Sequence, residues 1–277
     1  MVEYTFVNKE GKSELNQLGI QSDKHIHGLK KIVKIIEKNG AIAAIQLSHG
    51  GAKSNRQLTG GKLVGPSAIA VPIKSNDLEK PESANLDDII EIKSSFLAAA
   101  RRAKIAGFKF IELHSAHGYG LNQWLSPLTN QRSDCYGGSL KNRSRLLNEI
   151  VKEIKDLFPD LLISVRIPGQ DHLEGGLRLH DAIQIAKELE KSGVNIINVS
   201  SGMGGWRRPR KRNGEGYLVD DAKLIQKHLN IPVIGVGGIK TAEYINTSLS
   251  QNRFSLAAVG RSILENIDWG KSVGLKA

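Results

Sequence analysis

The chain has 277 residues, a length that fits one large α/β domain or two small ones. Its single cysteine, Cys135, excludes internal disulfides, CxxC redox chemistry and a cysteine-held iron–sulfur cluster, and it makes the cytoplasm the expected location. The formal net charge of +11 would suit a nucleic-acid binder, but Lys and Arg are spread among Glu and Asp, so we do not expect nucleic acid as the partner.

Seven short apolar runs, rich in β-branched residues, predict the β-strands. They are almost continuously apolar, which is typical of parallel strands covered on both faces. The runs are VEYTFV (2–7), AIAAIQL (41–47), FKFIEL (108–113), LLISVRI (161–167), VNIINVS (194–200), IPVIGVG (231–237) and FSLAAVG (254–260). The chain has no apolar run of about 18 residues and no signal-peptide pattern, so neither a membrane span nor a leader is expected.

Amphipathic segments between these runs predict helices. Ile and Leu recur in them at helical spacing, and the first two segments end on Gly40 and Gly107. The predicted helices cover residues 23–40, 86–107, 142–158, 179–193, 221–229 and 241–251. Strict alternation of strand and helix indicates parallel strands with crossover helices, in a single domain over residues 1–277.

Polar residues at the strand ends favour a (β/α)8 TIM-barrel-like fold over a doubly wound sheet. Gln46, His114, Arg166 and Ser200 lie at the carboxyl ends of four strands, and such ends meet on one face of a barrel. A doubly wound sheet would carry an early G-x-G-x-x-G turn, which this sequence lacks. Because the chain supplies about seven of the eight strands of a barrel, we expect the missing strand to precede Met1.

Two glycine motifs, GVGGI (235–239) and AVGRS (258–262), follow the last two predicted strands. Backbone N–H groups at the helix starts behind them can hold a phosphate, and Arg261 adds a forked cation. Either motif alone fits a plain turn equally well. As a consecutive pair at the ends of the last strands, they predict a ligand that carries a phosphate.

The sequence leaves alternatives open for the remaining polar residues. Gln46 and Arg166 are either a packing amide and an exposed cation, or groups that face a planar ring accumulating negative charge, such as a reduced flavin. His114 and His117 are packed loop histidines, metal ligands, or a pair of N–H donors for one oxygen with Tyr119 as a nearby acid.

A metal site would need a third ligand, and the sequence supplies none at an obvious spacing. Glu112 and Asp171 are the candidates, and we predict no metal.

The longest distinctive stretches resemble the old yellow enzyme family, which are FMN-dependent ene-reductases, and above all its bacterial NADPH dehydrogenase (xenobiotic reductase-like) branch. The likeness covers essentially the whole chain, and its most specific part is HSAHGY followed by NQRSDCYGGSLKNR. The matching segments are AIAAIQLSHGGAKS, FIELHSAHGYGLNQWLSPLTNQRSDCYGGSLKNR, ISVRI, VSSG, IGVGGI and AVGRS.

The resemblance implies a role for each matching residue. FMN would be held at its ring by Gln46 and Arg166, and at its phosphate by Gly237, Gly238, Gly260 and Arg261. His114 and His117 would bind the carbonyl oxygen of an enone-type substrate, and Tyr119 would protonate its α-carbon. NADPH or NADH would be the reductant, and Arg132, Asp134 and Arg143 would tie down the loop after the histidines.

Where the chain departs from the family, the resemblance implies a second reading. The family has a strand, a loop and a helix before the segment that matches VEYTFV, and a small residue where Tyr4 stands. The alternative is therefore a catalytically impaired barrel, or one completed by a second copy or by a partner that supplies the missing strand. The basic run WRRPRKR (206–212) either attracts the phosphates of a nicotinamide cofactor or is a solvated loop.

Overall fold

Strands and helices alternate along the chain in a computed structural model, which describes residues 1–72, 79–205, 207–209 and 211–274. The strands in these ranges are β1 Val2–Phe6, β2 Ala44–Ser48, β3 Val64–Gly65, β4 Glu82–Ser83, β5 Phe110–His114, β6 Leu162–Gln170, β7 Ile196–Ser201, β8 Val233–Gly235 and β9 Leu256–Ala257. The α-helices are α1 Ile26–Lys38, α2 Arg56–Thr59, α3 Leu86–Ala106, α4 Gly120–Leu125, α5 Leu140–Arg143, α6 Arg145–Leu157, α7 Leu179–Lys191, α8 Val219–Gln226, α9 Ala242–Ser250, α10 Arg261–Glu265 and α11 Trp269–Ser272. None of the helices in these ranges is long and apolar enough to cross a membrane.

Seven strands form one parallel sheet in the order β1-β2-β5-β6-β7-β8-β9. Each of the seven predicted runs contributes one of these strands, and β6 extends beyond its predicted end at residue 167 to Gln170. The separate pair β3 and β4 was not predicted from the sequence. Since every neighbouring pair is parallel, all strand ends point to the same edge of the sheet.

The two faces of the sheet differ in chemistry. One face carries buried aliphatic side chains that form an apolar cluster with the helices, among them Ile111 and Leu113 of β5 and Ile163 and Val165 of β6. Because successive strand residues point to opposite faces, the residues between them, such as Glu112, face the other side. The inner face of the sheet is therefore polar, and the functional residues expected from the sequence lie on it.

Helix α3 holds β5 at its place in the sheet. It begins with a capping box, in which the Asn85 side chain accepts from the N–H of Asp88 and the Asp88 carboxylate accepts from the N–H of Asn85. It ends at Gly107, whose φ of 102° is a left-handed conformation that favours glycine. The chain reaches β5 three residues later, so the stop at Gly107 sets where this strand begins.

Strands β1 and β9 form the two edges of the sheet. Leu162 lies on the polar face by its register with Ser164, yet 43% of it is exposed, so the amino-terminal end of that face is open to solvent. Exposed strand edges and apolar surface favour association with another chain. That a second copy or a partner completes the sheet stays a prediction.

We expect the cluster between α3 and the sheet to dominate the free energy of unfolding. Phe96 of α3 is 0% exposed in this cluster, so Phe96→Ala should lower the free energy of unfolding by about 3–5 kcal/mol. Ile90 on the same helix is 59% exposed, and Ile90→Ala should stay within about 0.5 kcal/mol of the parent. Urea unfolding measures both, and equal losses would contradict the packing described here.

Candidate active site

The carboxyl ends of β2, β5, β6 and β7 bring four of the expected residues to one face. Gln46 pairs in register with Glu112, His114 pairs with Arg166, and Pro168 pairs with Ser200. The side chains at these positions are mostly buried, with Gln46 at 6% and His114 at 2% exposure. The prediction that polar residues from separate strand ends converge is confirmed for these positions.

A buried carboxylate lies at the centre of this face. Glu112 is 0% exposed, and its Oε1 accepts from Nε2 of Gln46 at 2.6 Å. Its Oε2 accepts from Oγ of Ser164 at 2.9 Å and from Nδ2 of Asn198 at 2.8 Å. Because the amide nitrogen of Gln46 is bound to Glu112, the carbonyl oxygen of that amide is oriented toward another donor.

The two acidic residues considered as metal ligands have other partners. Glu112 accepts from three donors on three other strands of the sheet. Asp171 accepts from Oγ of Ser126 at 2.5 Å and from the N–H groups of Leu177 and Met203 at 2.7 and 2.9 Å. Within the described ranges, no group of three or more His, Cys, Asp or Glu is arranged to hold a metal ion.

The imidazoles of His114 and His117 lie side by side, with ring centroids 5.1 Å apart and planes at 82°. The N–H of Ala116 donates to Nδ1 of His114 at 3.3 Å, so neutral His114 carries its proton on Nε2. Nε2 of His117 lies 2.6 Å from Oγ of Ser200, which itself accepts from Arg166 at 3.2 Å. In the tautomer in which the Ser200 hydroxyl donates to this nitrogen, the proton of His117 lies on Nδ1. His114, and His117 in that tautomer, each have one N–H to offer a ligand.

Both imidazoles are neutral at pH 7. Burial holds the pKa of His114 and of His117 well below its usual 6.5, and the charges of Arg166 and Lys53 lower it further. Burial also lowers the pKa of the Arg166 guanidinium, which the carboxylate of Glu112 opposes. The site thus places two neutral N–H donors beside buried cations.

The backbone of His117 is in a left-handed conformation, with φ at 58°, which is unusual for a residue other than glycine. Its N–H donates to the carbonyl of Ser201 at 3.0 Å, and its carbonyl accepts from Nζ of Lys53 at 3.0 Å. These bonds on both sides of the residue hold the conformation that aims its imidazole at His114.

Tyr119 completes this group of side chains. Its ring centroid lies 4.8 Å from that of His114, and the residue is 8% exposed at the start of α4. Burial raises the pKa of the Tyr119 phenol, although the hydroxyl of Tyr4 lowers it in part. The phenol is therefore protonated at neutral pH and available as an acid.

Tyr4 reaches into the same space from β1. Its ring centroid lies 5.5 Å from that of Tyr119 and 6.5 Å from that of His114. Burial, followed by the charge of Tyr119 and by Glu14, raises the pKa of the Tyr4 phenol. The ring thus lies between β1 and the histidine pair.

The glycine motifs form a second group around a cavity of about 530 Å³. Gly237 and Gly238 have φ values of 119° and 67°, and Gly260 precedes α10. Nη2 of Arg261 donates to the hydroxyl of Tyr217 at 2.9 Å. Residues that line the cavity are Arg208, Gly214, Glu215, Tyr217, Gly238, Lys240, Arg261, Ser262 and Glu265. The structure thus brings Gly238 and Arg261 to one cavity.

Tyr217 links the two groups. It contacts Arg261 through its hydroxyl, and its N–H donates to the carbonyl of Gly237 at 3.1 Å. Burial lowers the pKa of Arg166, and Tyr217 opposes part of that shift. Tyr217 was not predicted from the sequence, because it lies in a loop without a local pattern. Lys53 was not predicted either, and its only signal is its place shortly after the end of β2.

The basic run 206–212 is only partly described, since Trp206 and Arg210 lie outside the described residues. Arg208 lines the cavity of the glycine motifs. Nη2 of Arg212 donates to Asp221 at 2.7 Å and its Nη1 to the carbonyl of Tyr217 at 3.2 Å. At least one cation of the run therefore faces the proposed phosphate site.

The loop after the histidines is tied down by the three residues expected to do so. Arg132 binds Asp134 and donates to the carbonyls of Pro66 and Ala84 at 2.9 and 2.6 Å. Nε of Arg143 donates to the carbonyl of Leu125 at 2.9 Å. These bonds fix the carboxyl end of α4, which begins next to Tyr119.

Comparison with known proteins places this geometry in a family. A model of the NADH:flavin oxidoreductase / NADH oxidase family matches residues 1–275. The chain is 40% identical to an NADPH dehydrogenase of Halalkalibacterium halodurans, over 100% of this chain and 79% of the relative.

Solved structures show the same architecture. Histamine dehydrogenase from Rhizobium sp. 4-9 superposes with a TM-score of 0.87 at 28% identity, over 98% of this chain and 40% of that one. This chain therefore spans less than half of histamine dehydrogenase. An old yellow enzyme homologue from Zymomonas mobilis gives a TM-score of 0.83 at 24% identity, over 97% of this chain and 77% of that one, which is a likeness of fold.

The chain belongs to the NADH:flavin oxidoreductase / NADH oxidase family. It is an FMN-dependent oxidoreductase of the old yellow enzyme type, and NADPH or NADH is its reductant. The expectations of this family, of these cofactors and of a (β/α)8-like fold with about seven strands are confirmed.

The residues on the polar face fit FMN in their chemistry. Nε of Arg166 and Oδ1 of Asn198 are buried without a hydrogen-bond partner among the described residues. A buried cation with a free donor suits a ring that accumulates negative charge. At the second group, Gly238 has a φ of 67°, and a Cβ there would lie 3.0 Å from the Tyr217 ring, so a side chain at this position would be strained and would crowd that ring. The ring of Tyr4 occupies part of the space beside His114 and Tyr119.

We expect stability to fall in mild acid because buried histidines resist protonation. Burial lowers the pKa of His49 to about 4, and His114 and His117 also lie well below 6.5. Below pH 6.5 these histidines bind protons in the unfolded chain but not in the folded chain. Each of them should therefore lower the free energy of unfolding by about 2 kcal/mol between pH 7 and pH 5.

Urea unfolding at both pH values measures this loss. The double variant His114→Asn, His117→Asn should show a smaller pH dependence, whereas His228→Asn, at an exposed position, should leave the dependence unchanged. A parent protein equally stable at pH 7 and pH 5 would contradict the buried, neutral state of the pair.

Proposed function

We propose that the chain uses NADPH or NADH to reduce the activated C=C bond of α,β-unsaturated carbonyl compounds. The observation that carries the proposal is the group of His114, His117 and Tyr119. Two neutral imidazoles, 5.1 Å apart, face one space, and a protonated phenol lies 4.8 Å from the first of them. Two donors and one acid suit a reaction that places negative charge on an oxygen and then a proton on a nearby carbon.

The remaining predicted residues hold FMN in this proposal. The Gln46 amide, oriented by Glu112, and the Arg166 guanidinium bind the pyrimidine edge of the ring. The phosphate is held by Gly237, Gly238, Gly260 and Arg261, at the cavity that Gly238 and Arg261 line. FMN bound by these residues would supply the hydride chemistry that connects the nicotinamide with the β-carbon of the substrate.

The histidines bind the substrate's carbonyl oxygen. The available donors are Nε2–H of His114, whose Nδ1 accepts from Ala116, and Nδ1–H of His117 in the tautomer whose Nε2 accepts from Ser200. Negative charge grows on this oxygen as the β-carbon accepts hydride, so both bonds strengthen in the transition state. Because the rings are neutral, they donate hydrogen bonds without transferring their own protons.

Tyr119 supplies the proton. Its O–H bond breaks as a C–H bond forms at the α-carbon, and the electron pair of the O–H bond remains on the phenolate oxygen. Burial raises the pKa of this phenol, so it holds its proton until the carbon is electron-rich enough to take it.

A half-reaction experiment tests this proposal. The flavin of the purified protein, loaded with FMN, is reduced by NADPH without oxygen and then mixed with 2-cyclohexenone. Reoxidation of the flavin absorbance should follow, and His114→Ala should slow it about 10²–10³-fold because one oxyanion donor is lost. Tyr119→Phe should slow it about 10²–10⁴-fold.

The matched control is Tyr136→Phe, because the Tyr136 hydroxyl binds Glu149 away from the site, at 3.1 Å. This variant should keep the parent rates in both half-reactions. If the reduced parent protein is not reoxidised by the enone, the proposal of ene-reduction is wrong.

The second candidate is a barrel with impaired cofactor binding, and the position of Tyr4 favours it. Its ring extends from β1, next to the strand of Gln46, to within 5.5 Å of the Tyr119 ring. A planar cofactor held by Gln46 beneath the histidine pair competes with that ring for space.

We expect Tyr4→Ala to bind FMN more tightly than the parent, by about tenfold or about 1.4 kcal/mol. Tyr4→Phe keeps the ring and removes the hydroxyl, so it should bind like the parent. Quenching of FMN fluorescence on titration measures both affinities. Weaker binding by Tyr4→Ala would mean that the ring supports the cofactor instead of crowding it.

Three further expectations remain part of the proposal. They are a single domain over residues 1–277, a cytoplasmic location, and completion of the sheet by a second copy or a partner strand. The open edges β1 and β9 support the last of these.

A further inference from the structure

We propose that Lys53 is a positioning residue of this site: its ammonium group holds His117 in the left-handed conformation and stabilises the phenolate that Tyr119 becomes after proton transfer. The inference rests on the proposed function for its second part, because only that reaction turns Tyr119 into a phenolate. Its first part depends on the described contacts alone.

The first contact is between Lys53 and the backbone of His117. Nζ donates to the carbonyl of His117 at 3.0 Å, across 64 residues of sequence. With φ at 58°, His117 adopts a conformation that residues with a side chain rarely take, so the bonds on its two sides decide whether it persists. The other side is held by the carbonyl of Ser201.

The second contact is between Lys53 and the ring of Tyr119. Nζ lies 4.1 Å from the ring centroid, well inside the distance at which a cation is attracted to an aromatic face. When the phenol gives its proton to the α-carbon, the electron pair stays on the phenolate. The attraction to the ammonium then grows, so a cation here makes the proton easier to give.

The loop that carries Lys53 is fixed before any ligand binds. Oε1 of Gln123 accepts from the N–H of Ala52 at 2.9 Å, and its Nε2 donates to the carbonyls of Gly50 and Gly118 at 2.9 and 2.8 Å. The side chain of Gln123 therefore ties the lysine loop to the histidine loop. The ammonium is held in place by the fold and not by a flexible surface loop.

The charge of Lys53 is sensitive to pH. Burial lowers its pKa to about 8, and Glu14 opposes this shift. In the described part of the chain, no carboxylate lies within 4 Å of its Nζ. The titratable groups that interact with it are Glu14 of the loop after β1, His114 at the end of β5, His117 in the following loop and Tyr119 at the start of α4.

The pH dependence has a definite sign. Below about pH 8 Lys53 is charged, so the imidazoles stay neutral and the phenolate is stabilised. Above about pH 8 the ammonium loses its proton, and its charge no longer stabilises the phenolate of Tyr119. The enone half-reaction of the parent protein should therefore slow as the pH rises through about 8.

Two variants separate charge from shape. Lys53→Met keeps a long side chain without charge, and it should slow reoxidation of the flavin by 2-cyclohexenone about tenfold at pH 7. The slowing that the parent protein shows above pH 8 should be absent in this variant. Lys53→Arg keeps the charge and should retain the parent rate at pH 7 and beyond pH 8. Lys104→Met is the matched control, because Lys104 lies 5.5 Å over the ring of Phe158, away from the site.

A second measurement is independent of enone chemistry. Titration of the histidine ring resonances by NMR follows His114 and His117, with His114→Asn and His117→Asn to assign them. Without the cation of Lys53, both imidazoles should take up protons at higher pH in Lys53→Met, and Lys53→Arg should restore the parent titration.

The outcomes distinguish the two proposals. If the parent protein fails to reduce the enone, the proposed function is wrong, and the histidine titration alone decides the role of Lys53. If Lys53→Met keeps both the parent pH profile and the parent titration, Lys53 is not a positioning residue, whatever the substrate proves to be.

Discussion

The buried carboxylate of Glu112 is the interaction on which the site depends. It accepts hydrogen bonds from Gln46, Ser164 and Asn198, which lie on three other strands of the sheet. A buried charge is tolerated only when its hydrogen bonds are complete, and its donors would otherwise be buried without partners. Four parallel strands are therefore held in one register, because a slip of one residue would turn each of these side chains toward the apolar helices.

Three residues of the candidate site lie one layer above this network. His114, Arg166 and Ser200 each follow a member of the network by two residues, so they point to the same face, one step nearer the carboxyl ends of the strands. The strand register that this carboxylate stabilises therefore also determines where the residues of the candidate site lie. This explains why residues far apart in sequence meet within a few ångströms, as when Ser200 contacts both His117 and Arg166.

The sequence predicted the seven strands and the main helices because apolar periodicity is a local property, and strand ends in a parallel sheet share one edge. It placed Gln46, His114 and Arg166 together for the same reason. It considered Glu112 only as a metal ligand, because the three partners that explain it lie on other strands. Lys53 was missed because its contacts depend on how two loops pack, 64 residues apart, and no local pattern encodes that.

The electrostatics of the site follow from the same arrangement. Protonating either imidazole would place a third positive charge in a buried space that already holds Arg166 and Lys53, so burial and both cations keep the pair neutral. Neutral donors beside fixed cations stabilise a transition state in which negative charge grows on the ligand more than they stabilise the ground state. The reason is that their hydrogen bonds strengthen as that charge grows. Glu112 opposes the pKa shift of Arg166, whereas Lys53 interacts with Glu14 and lies 4.1 Å from the centroid of the Tyr119 ring. The lysine and the glutamate therefore contact different parts of the candidate site: Lys53 the backbone of His117 and the ring of Tyr119, and Glu112 the amide of Gln46.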